Sequence, residues 1–194
     1  MSLSRILPAV FLACAIPASV QADVITDWNE TAVPALIQAK LPTGTHPRAL
    51  ALMHAAMFEA VNSITPQFAP YSASMSAPAG ASAEAAASAA AYRILSAILP
   101  AQASAFETRH QALTAHITDN AGKAAGVALG EKVASALLAL RASDGSDFST
   151  TYTPPVGPGM YVLTSKSAMA SPLLGKMKPF VLAKGDQYRP AAPP

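Results

Sequence analysis

The stretch that most constrains the fold is 45–64, which has the apolar spacing of an α-helix. Its larger side chains recur at intervals of three and four, which places them on one stripe of a helix: Leu50, Met53, His54, Met57, Val61 and Ile64. Thr45 is predicted to cap this helix, and Pro47 lies in the first turn, where a missing N–H costs nothing. Alanine fills much of the remaining surface, so neighbours can approach closely. We therefore expect 45–64 to be the central helix of an all-α bundle.

Four further segments have helical patterns and complete a bundle of about five helices: 23–40, 82–99, 101–118 and 121–142. In the first, Thr26 or Asp27 is the predicted cap, and Pro34 is expected to kink the helix or split it. Ser82 is the predicted cap of the alanine-rich segment 82–99. The predicted core positions in 101–118 are Phe106, Leu113 and Ile117.

Glycine recurs every fourth residue in the segment 121–142, which Asn120 is predicted to cap. Because each interior glycine costs about 1 kcal/mol of helix propensity, Gly122, Gly126 and Gly130 require compensation. We expect a close contact between this glycine face and the alanine face of 82–99. The larger residues of the segment are predicted core positions, namely Val127, Val133, Ala134, Leu137, Leu138 and Leu140.

Residues 1–22 have the features of a secretory signal peptide. Arg5 precedes an apolar run, 6–16, that is too short to span a bilayer as a stable helix, and small residues at Val20 and Ala22 predict cleavage before Asp23. A lipid anchor at Cys14 is the weaker alternative, because the residues before it form a poor lipobox. The sequence thus predicts an exported protein, periplasmic or secreted, without a transmembrane anchor after cleavage.

The charge of the mature chain argues against nucleic-acid binding. Of the 13 Lys and Arg residues only Arg5 lies in 1–22, so 12 basic residues face 11 acidic ones, a net charge of +1 with histidine neutral. A nucleic-acid binder normally carries a basic patch. The single cysteine, Cys14, leaves with the signal peptide, so we expect neither disulfides nor thiolate chemistry.

The final segment, 145–194, contains eight prolines and has no sustained helical or strand period. Fifty residues of irregular chain are unusual in a compact domain, and they predict an incomplete one. The predicted organisation is a signal peptide at 1–22, a helical bundle at 23–144 and a Pro/Gly-rich irregular tail at 145–194.

No catalytic constellation is evident among the titratable residues, so we assign no catalytic, cofactor-binding or metal-ligating residue. His110 and His116 are six residues apart, nearly opposite each other on a helix, and no HExxH, Cys/His cluster or GxSxG is present. His54 has two interpretations, a buried histidine bonded to a backbone carbonyl or a group facing a pocket. Glu59, with Asn62, is interpreted as part of a solvated or interhelical polar face.

Several segments occur in an order and spacing that are more specific than any one of them. They are DWN (27–29), RALALMHAAMFEAVN (48–62), FAPY (68–71), AAGVALGE (124–131), LRASDG (140–145) and PFVLAKGDQYRP (179–190). Together they resemble the amino-terminal half of exported bacterial proteins of the vanadium-dependent haloperoxidase group, within the type-2 phosphatidic acid phosphatase superfamily. The resemblance extends over 23–194.

The resemblance implies a helical-bundle enzyme that holds vanadate or a phosphoryl group with basic residues from the motifs K-x6-R-P, P-S-G-H and S-R-x5-H. None of these motifs is present here. Lys184 and Arg189 resemble the first, but only four residues separate them, and Leu182 stands where the lysine is expected. Vanadate or phosphate is thus expected only together with a missing carboxy-terminal half.

Two hypotheses follow from the sequence. In the first, the chain is the non-catalytic amino-terminal half of such an enzyme, and it associates with the missing half or with itself through exposed apolar faces. In the second, it is a free-standing exported helical protein with a structural or interaction role.

Overall fold

The computed structural model describes residues 23–42, 44–72, 75–118, 120–146, 152–164, 169 and 171–191. The predicted signal peptide lies outside these residues. Over the described ranges the protein is all-α without strands, and it has five helices: α1 (Val24–Gln38), α2 (Thr45–Ile64), α3 (Ala83–Ile98), α4 (Ala103–Thr114) and α5 (Ala121–Leu140). The predicted fold class is confirmed.

Three of the helices begin with a side-chain cap. Ser82 caps α3 and Asn120 caps α5, as predicted, by accepting backbone N–H groups at 3.2 and 3.0 Å. The cap of α1 is Asp23, which accepts from the N–H of Thr26 at 2.9 Å, so the prediction of Thr26 or Asp27 was wrong. Such a carboxylate offsets the unpaired N–H groups and the positive end of the helix dipole.

Two other local predictions also require correction. Thr45 is the first residue of α2 rather than its cap, and Gly44 precedes it without a side-chain cap. Pro34 lies inside the continuous helix α1, so of the two predicted outcomes, a kink or a split, the split was wrong. Tertiary contacts explain why α1 persists, since Trp28 and Leu36 on either side of the proline are fully buried in the core.

The centre of the bundle is α3, not α2 as predicted. It packs against each of α1, α2, α4 and α5, and every residue from 85 to 91 is fully buried. Larger side chains made α2 the more prominent helix in the sequence. In the folded protein the small side chains of α3 matter more, because they let four helices approach the same axis.

The buried face of α2 is also rotated from the predicted stripe. Leu50, Val61 and Ile64 are only partly buried, whereas the fully buried apolar residues are Ala49, Leu52, Met53, Ala56, Met57 and Ala60. Three of those six are alanines, which a pattern of large apolar residues does not identify. Side chains that are at most 1% exposed form the centre of the core: Trp28, Leu36, Leu52, Met53, Met57, Ile94, Leu95, Phe106 and Leu137.

The contact between the glycine face of α5 and the start of α3 is confirmed. A Cβ atom added at Gly122, Gly126 or Gly130 would lie less than 3.0 Å from the carbonyl oxygens of Gly80, Ser82 and Ala86, respectively. The N–H of Ser82 also donates to the carbonyl of Gly122 at 2.9 Å. Because these three glycines have no side chain, the backbone of α5 directly contacts the backbone of α3 and of the loop before it.

The predicted core positions of α4 and α5 are only partly correct. Phe106, Val133, Ala134 and Leu137 are buried as predicted, but Leu140 is half exposed. Leu113, Ile117, Val127 and Leu138 are partly buried. Helix α4 also ends at Thr114, four residues before the predicted end.

After α5 the described chain is irregular apart from one short 3-10 turn, Leu174–Lys176. This agrees with the predicted character of the tail. Its main attachment to the bundle is at residues 178–180, where the N–H of Lys178 donates to the carbonyl of Asp144 at 2.7 Å and Phe180 packs against the core. Within the ranges that the structure describes, none of the helices combines the length and apolarity needed to cross a membrane.

Candidate functional site

His54 lies half-buried at the wall of an open cleft of about 400 Å³. We call this the α1–α2 cleft, because α1, α2 and the following loop form it through Ile25, His54, Met57, Phe58, Val61, Asn62, Thr65, Gln67 and Phe68. The imidazole Nε2 is 3.4 Å from Oδ1 of Asn29. The interpretation as a buried histidine bonded to a backbone carbonyl was therefore wrong. The second interpretation, in which His54 faces a pocket, agrees with its position in the lining of this cleft.

Glu59 is buried, at 2% exposure, and its carboxylate holds the loop after α2. It accepts hydrogen bonds from the backbone N–H groups of Tyr71 and Ser72, the second at 3.0 Å. A carboxylate out of contact with water needs such donors, and charge-assisted hydrogen bonds are the stronger kind. The predicted solvated or interhelical polar face was wrong at this residue.

Asn62 holds the same loop nearer to α2. Its Oδ1 accepts from the N–H groups of Gln67 and Phe68 at 3.1 and 3.0 Å, and its Nδ2 donates to the carbonyl of Phe68 at 2.9 Å. We call Glu59 and Asn62 the loop clamp. The Pro-rich loop has no regular structure that would pair its own backbone N–H and C=O groups. The polar residues near the end of α2 were the sequence signal for the loop clamp.

The loop clamp fixes one aromatic wall of the cleft. Phe68 lies opposite Phe58 with ring centroids 6.2 Å apart, and the two side chains are 68% and 37% exposed. Met57, by contrast, is buried at the floor. The cleft is thus an apolar depression with a fixed aromatic edge and one imidazole in its wall.

A second polar arrangement connects Trp28, Ser88 and His110 inside the bundle. The indole N–H of Trp28 donates to Oγ of Ser88 at 3.0 Å, and that Oγ is 2.9 Å from Nδ1 of His110. Tyr92 stacks on the imidazole with ring centroids 5.6 Å apart. Sequence analysis did not identify this series of hydrogen bonds, because Trp28 and Ser88 are 60 residues apart and Ser88 and His110 are 22 residues apart.

The Ser88–His110 pair is structural rather than nucleophilic. Ser88 is fully buried, so a substrate has no access to its hydroxyl. Burial lowers the pKa of His110 by disfavouring its charged form, although the nearby Glu131 carboxylate acts in the opposite direction. A neutral imidazole with an unprotonated Nδ1 can accept a hydrogen bond from the Ser88 hydroxyl, whose oxygen in turn accepts from the indole N–H of Trp28.

A third cluster holds the tail against the end of α5. Oδ2 of Asp144 accepts from Nε of Arg48 at 2.9 Å and from Nε of Arg141 at 3.0 Å. Burial opposes ionisation of Asp144, but the hydrogen bonds from Arg48 and Ser146 outweigh it and hold the pKa of this carboxyl below its usual range. We call Arg48, Arg141 and Asp144 the arginine cluster.

Arg141 connects the arginine cluster to the tail. Its Nη1 and Nη2 donate to the carbonyls of Pro179 and Lys178 at 3.0 and 2.6 Å, and its guanidinium lies 4.1 Å from the ring centroid of Phe180. The partly buried Arg48 and the buried Arg141 are therefore both engaged by a carboxylate and by backbone carbonyls. Arg141 also lines a cleft of about 150 Å³, but each of its three side-chain nitrogens already donates to Asp144 or to a carbonyl of the tail.

The remaining histidines and basic tail residues do not converge on one site. His116 pairs with Glu84 on the surface, with Nε2 and Oε1 3.1 Å apart, whereas His110 is inside the bundle. Lys184 lies 3.6 Å from Asp186 and is largely exposed. No group of three or more metal-ligating side chains occurs in the part of the chain that the structure describes.

Comparison of the chain with protein-family models, curated proteins and solved structures finds no match. The assignment to an all-α class thus depends on the helices and their packing alone. The resemblance to the haloperoxidase and phosphatase group stays a prediction from sequence.

Proposed function

We propose that the chain is the amino-terminal helical half of an exported haloperoxidase-like or acid phosphatase-like protein, and that it carries no oxyanion chemistry of its own. The order of the segments that resemble this group and the all-α bundle support the family part of the proposal. The engagement of Arg48 and Arg141 supports the second part, because the Asp144 carboxylate and backbone carbonyls already accept hydrogen bonds from both guanidinium groups.

The observation that carries the need for a second half is the exposed apolar surface of the tail. Ten of the large apolar side chains between 152 and 191 are exposed: Tyr152, Val156, Met160, Tyr161, Val162, Leu163, Leu174, Val181, Leu182 and Tyr188. Exposed apolar side chains in this number favour an interaction surface. The tail contacts the remainder of the protein, which supplies the P-S-G-H and S-R-x5-H motifs and the vanadate or phosphate ligand.

Purification of the native product from its host tests this proposal. We expect either one polypeptide larger than residues 23–194 that contains both motifs, or 23–194 together with a second polypeptide that contains them. In the case of two polypeptides, the double variant Val156→Ser and Val162→Ser is expected to release the second one. The matched control is Ile37→Ser, at an exposed apolar position of α1.

Vanadium NMR and assays of halide oxidation and phosphate-ester hydrolysis test the chemistry. We expect residues 23–194 alone neither to bind vanadate nor to catalyse either reaction. Saturable vanadate binding by this chain alone would contradict the proposal.

A free-standing helical protein is the second candidate, because all buried members of the hydrophobic core lie between Trp28 and Leu137, within the bundle. Trp28, Ile94 and Leu137 are at most 1% exposed and come from three different helices. This candidate predicts a single cooperative thermal transition and a monodisperse native product of residues 23–194 without a partner. Finding no polypeptide with the P-S-G-H and S-R-x5-H motifs in the host would favour it.

A further inference from the structure

The α1–α2 cleft has the size and lining of a small-molecule site. Its volume of about 400 Å³ lies within the range of ligand pockets, and most of its lining is apolar or aromatic with a few polar groups. It belongs to the bundle and is separate from the tail. A ligand in this cleft is therefore distinct from the carboxy-terminal half proposed above, which contacts the tail.

The wall of the cleft is formed before any ligand arrives. Glu59 and Asn62, at 2% and 9% exposure, give their hydrogen-bonding capacity to the loop that carries Phe68. Burying a carboxylate and an amide is costly without such bonds. The arrangement holds an exposed phenyl ring over a depression, and a fixed wall reduces the entropy cost of binding.

The two rings at the edge favour an aromatic ligand. Phe58 and Phe68 leave much of their surface in water, and Met57 provides a polarisable floor below them. Offset or edge-to-face contacts between aromatic rings are favourable, as are contacts between sulfur and rings. An aromatic molecule in the cleft would cover these exposed surfaces.

The polar groups favour a neutral ligand with a hydroxyl. No Asp, Glu, Lys or Arg side chain lines the cleft, so a charged ligand would lose hydration without an ionic partner. Asp23 and Glu84 line the adjoining cleft, which shares Ile25 and Val61, and their charges disfavour anions. His54 contributes an imidazole to the wall of the cleft, and imidazole nitrogens form hydrogen bonds with hydroxyl groups.

We propose that the α1–α2 cleft binds a neutral aromatic alcohol, with its ring against the exposed surfaces of Phe58 and Phe68 and its hydroxyl hydrogen-bonded at the polar wall that includes His54. Isothermal titration calorimetry of residues 23–194 with 2-naphthol tests this proposal. We expect saturable binding at one site per chain. The anion 2-naphthoate is expected to bind more weakly, since it places a charge in a cleft without cations.

Phe68→Ala removes one ring of the edge, and we expect it to weaken 2-naphthol binding about tenfold through lost ring contact and buried area. His54→Phe keeps an aromatic ring without the hydrogen-bonding nitrogen, and it is expected to reduce the preference for 2-naphthol over naphthalene. The matched control, Ile37→Ala, removes an exposed apolar side chain from α1 outside the cleft and should leave binding unchanged.

Three results would overturn the proposal. The first is absence of saturable binding by a folded chain, as judged by circular dichroism. The second is equal binding by wild type and Phe68→Ala. The third is a dimer in light scattering that Phe68→Ala converts to a monomer, which would identify a second copy of the chain as the occupant.

Discussion

Gly130→Ala is expected to destabilise the bundle although alanine is the better helix former. The added Cβ would overlap the carbonyl oxygen of Ala86 and lie 3.0 Å from the Cβ of Ala89, both on α3. The first neighbour is backbone, so relief requires movement of a whole helix. Overpacking of this kind costs about 3 kcal/mol at the upper end of its usual range. The gain in helix propensity returns about 1 kcal/mol, which leaves about 2 kcal/mol of net destabilisation.

Thermal unfolding of residues 23–194 by circular dichroism measures this effect. For a domain of this size, the loss corresponds to a decrease in Tm of about 4 to 8 °C. Gly185→Ala is the control, because an added Cβ there meets no atom within 4 Å and the backbone is not in the left-handed region. An increase in Tm for Gly130→Ala would show that α3 and α5 are not in backbone contact, and the argument from the glycine spacing would fail.

Three further predictions concern the buried polar groups. Asp144→Ala leaves Arg141 buried without its carboxylate, and urea unfolding should show a loss of about 3 to 5 kcal/mol, whereas a loss below 1 kcal/mol would contradict its role. Asn62→Ala leaves backbone groups of Gln67 and Phe68 unpaired, so we expect a loss of about 1 to 3 kcal/mol and faster proteolysis within 65–72; unchanged cleavage would refute the loop clamp. The folded-state pKa of His110 is below 6.5, so near that pH the unfolded chain binds more protons than the folded chain. Stability should therefore fall as the pH decreases below 6.5 and level off below the folded-state pKa. The variant His110→Asn should remove this slope.

The sequence predicted the helices better than it predicted their arrangement. Periodicity and capping residues identified five helices, and the glycine spacing identified the α3–α5 contact. The central helix was predicted wrongly, because the pattern gives weight to large apolar side chains, whereas close approach depends on small ones such as Ala86 and Ala90. Local signals also could not show that Pro34 is tolerated, since burial of Trp28 and Leu36 maintains the helix around it.

The candidate site was less predictable because its parts are distant in sequence. His54 was noted for its place in an apolar stripe, but Asn29, its neighbour across the cleft, lies 25 residues earlier. The arginine cluster likewise joins residues that are 96 positions apart. Hydrogen bonds of this kind depend on how the helices pack, which no short window of sequence contains.

The contacts of the segment 48–62 bear on what the family resemblance means. Its polar residues Arg48, Glu59 and Asn62 each hold a part of the chain outside α2: the end of α5, the loop at 71–72 and the loop at 67–68. Each of these three residues therefore has a structural role that requires no ligand. A resemblance carried by this segment argues for a shared way of packing α2 against its loop and the end of α5. It carries no argument for a shared reaction, and the proposal above accordingly assigns the chemistry to motifs outside this segment.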